Sequence, residues 1–154
     1  MILNYFNVQD RFGLLTFCYD KFTKPHFAGL CKDLAQLALQ GDKLAAWVFE
    51  QAGKGLAQHI VALSPNYSQE ILNQPGGLPV VCIGSVWKSW ELLKPGFLKE
   101  LSENAKNIQE ISLVQLKVPM ATGACYLGAD AASGKMRKNY SDNTTTFYQG
   151  PLKE

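Results

Sequence analysis

The hydrophobic pattern changes character along the chain: apolar residues recur at three- and four-residue spacing up to about residue 64, then gather into short unbroken runs. Phe12, Leu15, Thr16 and Tyr19 predict a helix within residues 9–20. A second helix, about 26–40, places Phe27, Leu30, Cys31, Leu34 and Ala38 on one stripe, and Gly41 suits its C-terminal cap. Asp42 then reads as the N-cap of a long third helix. Leu44, Trp47, Val48, Ala52, Leu56, Ile60 and Leu63 form the apolar face of that helix, which Ser64-Pro65 ends. Gly53 and Gly55 lie inside it, each costing about 1 kcal/mol relative to alanine, and close helix packing is the expected reason. His59 sits beside the apolar stripe, and neither a nucleophile nor a carboxylate pairs with it by spacing. It reads as a hydrogen-bonded core histidine; His26, after Pro25, carries no stronger signal.

Beyond residue 72 the punctuation is turn chemistry, Asn73-Gln74-Pro75-Gly76-Gly77. Leu78 to Ile83 follows as an apolar run suited to a strand buried on both faces. The run stops at Gly84-Ser85. Val86, Trp90 and Leu93 predict a helix over 86–94 that Pro95-Gly96 ends, and another helix covers about 97–107. Ile111 to Leu116 is the second strand candidate. Ala121 to Ala129 is a helix dense in small residues, which allows a neighbour to approach closely, and an edge strand is expected around Thr144–Tyr148. The order predicts an α/β layer architecture, with a helical part over about 9–64 and an α/β part over about 75–150 of one domain.

Composition narrows the classes. A formal net charge of +2, with scattered basic residues, argues against nucleic acid or anionic membrane as partner. The densest basic run, Lys135 to Lys138, reads as a solvated face. No segment approaches the roughly 20 apolar residues of a membrane helix, and the N-terminus does not read as a signal peptide. Cys18, Cys31, Cys82 and Cys125 are widely spaced among apolar neighbours, which predicts buried free thiols rather than a zinc site. Together these features point to a reducing, cytoplasmic setting. The sequons at Asn66, Asn139 and Asn143 are then coincidental. Trp47, Trp87 and Trp90 read as packing residues rather than sugar stackers.

The junction of strand, Gly84-Ser85 and helix carries the chemistry. Unpaired backbone N–H groups where a buried strand turns into a helix favour a phosphate or another anion. Ser85 can cap that helix, and Ser89 lies one turn on, on the same face. On spacing alone, structural capping accounts for this junction better than a ligand does. Lys88 can approach a phosphate or simply face solvent. The sequence holds neither a Walker A loop nor a GxGxxG, HExxH or GxSxG motif.

Several segments nonetheless resemble the eukaryotic N-acetyl-D-glucosamine kinases: Phe27-Ala28-Gly29-Leu30-Cys31, the Gly41-Asp42 break, and Gly53 to Ala62. The most specific stretch runs from Gly77-Leu78-Pro79 through Ile83-Gly84-Ser85-Val86-Trp87-Lys88-Ser89-Trp90 to Lys94. The helix around Gly123 and Leu127-Gly128-Ala129 and the ending Tyr140-Ser141 to Phe147-Tyr148 are similar in order. The similarity runs over nearly the whole chain but covers about the C-terminal half of a family member.

Those kinases fall among the BadF/BadG-type ATPases of the sugar-kinase and actin superfamily. The resemblance implies a ribonuclease-H-like (actin-like ATPase) C-terminal lobe, its helices packed on a small sheet, facing a second lobe across an ATP cleft. It implies nucleotide contacts at Ala28, Ser85 and Ser89, to which the backbone of the junction adds Gly84 as a cofactor-binding residue. It further implies transfer of the ATP γ-phosphate to the 6-hydroxyl of N-acetylglucosamine with Mg²⁺ carried on the nucleotide, and a homodimer. The N-terminal lobe, with the family's phosphate loop, aspartate base and sugar loops, has no counterpart here, so no residue inherits a catalytic, sugar-binding or metal role. The expectation is a portion of an enzyme that does not catalyse alone; the alternative is a non-catalytic nucleotide-binding or dimerisation module.

Overall fold

A computed structural model describes residues 1–152 of the chain. Its architecture is α/β: helices packed with a small, three-stranded mixed sheet. The helical part comprises α1 (Ile2–Tyr5), a π-turn (Thr16–Asp20), α2 (Lys24–Leu39), α3 (Lys43–Leu63) and α4 (Gln69–Leu72). The sheet part follows as β1 (Leu78–Val81), a 3-10 turn (Ser85–Ser89), α5 (Trp90–Asn104), β2 (Glu110–Leu116), α6 (Ala121–Ala131) and β3 (Thr144–Pro151). The strand β2 is central, parallel to β1 and antiparallel to β3, with Leu78 opposite Ile111 and Val81 opposite Val114.

The break between α2 and α3 forms as its sequence dictates. Gly41, at φ +94°, takes the left-handed conformation that glycine adopts without steric cost. Its N–H bonds the Ala38 carbonyl while the Asp42 N–H reaches back to Leu37, a Schellman closure. The Asp42 carboxylate then accepts from the Ala45 N–H at 2.8 Å, capping α3.

Packing rotates the expected face of α3: Ile60 is buried and Leu56 half-buried against the core as the stripe predicts, but the rest of the buried face differs. Ala45, Phe49, Gly53, Ala57 and Ile60 are buried, whereas Leu44, Trp47, Val48 and Leu63 are exposed. The cause is the approach of α5. A Cβ on Gly53 would meet the Leu93 carbonyl, and one on Gly96 would meet the Glu50 carbonyl, so the two helices touch through backbone. Small residues must line such a contact, and the larger stripe is turned outward. Gly55 takes no part, with open space around it. His59 lies on the exposed side too, not in the core.

Pro95-Gly96 does not end a helix; α5 runs through both. An interior proline costs about 3 kcal/mol, but continuity places Leu93, Phe97 and Leu101 at 0% exposure. Each such side chain contributes about 1.5–3 kcal/mol on burial, which outweighs the break. The core lies between α5 and one face of the sheet, where Leu78, Ile111 and Leu113 meet Trp87, Trp90 and Phe97. On the opposite face Val81 and Ile83 are 55% and 53% exposed, so β1 is covered on one side only.

At the N-terminus, helix forms over part of residues 9–20, and Phe12, Leu15 and Tyr19 face solvent. The buried ring there is Phe6, clustered with Tyr5, Phe17, His26 and Phe27. In α6 only Tyr126 is buried, and nothing among the described residues approaches Gly123 or Gly128. All four cysteines are free thiols, but only Cys82 is buried; Cys18 and Cys125 are exposed. No helix among the described residues is long and apolar enough to cross a membrane.

Candidate functional site

The carboxyl ends of the parallel strands β1 and β2 meet at the Gly84-Ser85 corner. Pairing continues one residue past β1, where the Cys82 N–H donates to Val114 at 2.8 Å. Ile83 then leads into Gly84, whose φ of +106° and ψ of +160° lie in a region essentially reserved for glycine. This turn redirects the chain into the 3-10 segment Ser85–Ser89.

The 3-10 geometry sets which side chains share a face, because residues three apart eclipse each other. Trp87 and Trp90 point together into the core, 7% and 6% exposed, with their rings at 5.8 and 5.4 Å from Phe97 in edge-to-face contact. Ser85 and Lys88 form the corresponding outward pair, and both are exposed. The expected alignment of Ser85 with Ser89 assumed an α-helix and does not hold. Nor does Ser85 cap anything: Gly84 takes the capping position, and neither Ser85 nor Ser89 makes a side-chain cap hydrogen bond.

Two depressions flank this turn. One, of about 460 Å³, lies at the strand ends between Cys82–Ser85 and Leu116–Met120, with Lys88 and Gln115 on its wall. The other, of about 430 Å³, lies between α2 and the start of α5, lined by Ala35, Leu39, Trp87–Leu92, Gln115 and Phe147. Both volumes fall within the range of small-molecule sites. Ser85 and Gly84 open onto the first, and Ser89 onto the second. Ala28 lines neither. It is exposed on α2, seven residues before Ala35 and hence on nearly the same helix face, about 10 Å further along the axis.

Polar resources are few. Lys88 is the cation of both walls, Glu91 lies on the α2 side, and Gln115 supplies an amide. Cys82 is no nucleophile: burial pushes its thiol up to about 12, against a smaller opposing effect of the hydrogen bond with the Val114 backbone. Among the described residues there is no group of three His, Cys, Asp or Glu side chains placed to hold a metal ion. The walls therefore offer an anion exposed donors and one ammonium group, and their lining among the described residues includes neither a histidine nor a second carboxylate beside Glu91.

Of the residues the sequence singled out, Gly84, Ser85 and Ser89 line the two depressions and Ala28 does not, while Lys88, left undecided, lines both. The signal for Lys88 was its three-residue spacing from Ser85, readable only once the segment is known to be 3-10. Gln115, which joins the site through strand pairing, had no local signal at all. No known protein-family profile matches the chain.

Proposed function

We propose that this chain is the C-terminal, ribonuclease-H-like nucleotide-binding portion of an N-acetylglucosamine kinase, acting in the cytoplasm. The reading joins the Gly77–Lys94 resemblance to one observation: the Gly84-Ser85 corner opens at the carboxyl ends of the parallel strands. In open α/β sheets that is where ligands bind. The sheet supports the assignment in its coarse form, since a parallel pair joined through a helix and bordered by an antiparallel strand fits such a lobe.

In this account Gly84 and Ser85 present backbone N–H and hydroxyl donors to the nucleotide, Ser89 contacts it from the α2 side, and Ala28 borders it further along α2. Mg²⁺ enters on the phosphates, since the corner offers the ion no carboxylate cluster. The enzyme reaction breaks the bond between the β–γ bridging oxygen and the γ-phosphorus and joins that phosphorus to the sugar 6-oxygen. The hydroxyl proton passes to an aspartate in the family, and no residue of this sequence matches that base. This portion supplies binding and orientation.

Isothermal titration of MgATP into the chain and into Ser85→Leu tests the proposal. The leucine is expected to weaken binding about tenfold by filling the corner. Equal affinity in both proteins removes Ser85 from the site, and no saturable binding by the unmodified chain removes the nucleotide reading.

A further inference from the structure

The two depressions share a wall: Lys88 and Gln115 line both. Their other walls differ in charge. The α2 side is apolar and aromatic, with Leu39, Leu92 and Phe147, and carries the Glu91 carboxylate. The strand-end side is also largely apolar, with Ile83, Leu116 and Met120, but it holds no carboxylate among the described residues and is bordered by the Gly84-Ser85 turn. A carboxylate on one side and an ammonium on the ridge bias an anionic group toward the strand ends and leave the aromatic side for a flat, uncharged moiety.

Lys88 is available for that role. It is exposed on the outward face beside Ser85. The ion pairs among the described residues join Lys54 to Glu100 and Lys138 to Asp130, so the Lys88 ammonium has no carboxylate partner there.

We infer that the two depressions are halves of one site and that Lys88, on the ridge between them, binds the phosphate chain of a nucleoside polyphosphate. The base occupies the side of Leu39 and Phe147, the phosphates lie toward Ser85, and the ammonium acts as a point charge where the ligand crosses. This rests on the nucleotide reading and adds to it a residue and a direction for the ligand.

The test is titration of MgATP and of adenosine into the chain, Lys88→Met and Lys88→Arg, with thermal unfolding to verify that the exposed substitutions leave the fold intact. Methionine is expected to weaken MgATP roughly tenfold or more, the scale of a charged hydrogen bond, while adenosine stays within about twofold. Arginine is expected to retain most of the MgATP affinity. If the unmodified chain binds MgATP and Lys88→Met binds it equally well, or loses MgATP and adenosine in the same proportion, the role of Lys88 is overturned and the nucleotide reading stands. If the unmodified chain binds neither ligand, both fall.

Discussion

Gly53 and Leu93 stand so close that a Cβ added to the glycine would lie 2.0 Å from the leucine carbonyl oxygen. The contact is reciprocal, since a Cβ on Gly96 would lie 1.9 Å from the Glu50 carbonyl oxygen. Backbone cannot yield as a flexible side chain does. Gly53→Ala is therefore expected to destabilise the chain by about 3 kcal/mol, the upper range for overpacking. Gly55→Ala, two residues away in open space, is expected to stabilise it by up to about 1 kcal/mol through helix propensity. Urea unfolding of the two variants measures the opposite signs; equal effects would mean that α3 and α5 do not meet through backbone.

The capped and uncapped junctions separate stability from binding. Asp42→Ala removes the bond to the Ala45 N–H and is expected to cost about 1 kcal/mol. Ser85→Ala removes no cap bond and is expected to stay within about 0.5 kcal/mol. Denaturant midpoints compare them directly, and a large loss at Ser85 would give that residue a structural role instead.

The Cys82 thiol holds its proton more tightly in the folded chain, with its pKa raised from 9.0 to about 12 by burial. The folded state therefore binds more protons than the unfolded one between those values. The stability linked to this thiol is fully present below about pH 9 and is lost as pH rises toward 12. Under native conditions at pH 8, a thiol reagent is expected to label Cys18 and Cys125 promptly and Cys82 only after unfolding. Prompt labelling of Cys82 would contradict its placement beneath the strand end.

Assayed with MgATP and N-acetylglucosamine, the chain alone is expected to form no sugar phosphate above background, because no residue matches the family's base. Coupled detection of ADP measures this, and robust turnover would show that the base lies within these residues.

Local signals carried the fold a long way. The Gly41-Asp42 break, α2, β2 and the strand–glycine–helix corner all follow from capping, periodicity and turn chemistry within a few residues. What escaped is what distant packing decides. The buried face of α3 is chosen by the backbone of α5, not by the stripe of Leu44 and Trp47. The helix through Pro95 persists because Leu93, Phe97 and Leu101 are buried together. At the candidate site, the residue types were legible but their grouping was not, since one 3-10 segment pairs Ser85 with Lys88 rather than with Ser89.

Amide chemical-shift mapping during titration with MgATP most directly tests whether the corner after β1 holds a nucleotide. Saturable shifts concentrated at Gly84 to Ser89, with smaller ones reaching Gln115 and Ala28, are the expected result. Shifts that fail to saturate, or that saturate elsewhere while Gly84 and Ser85 stay still, would contradict it.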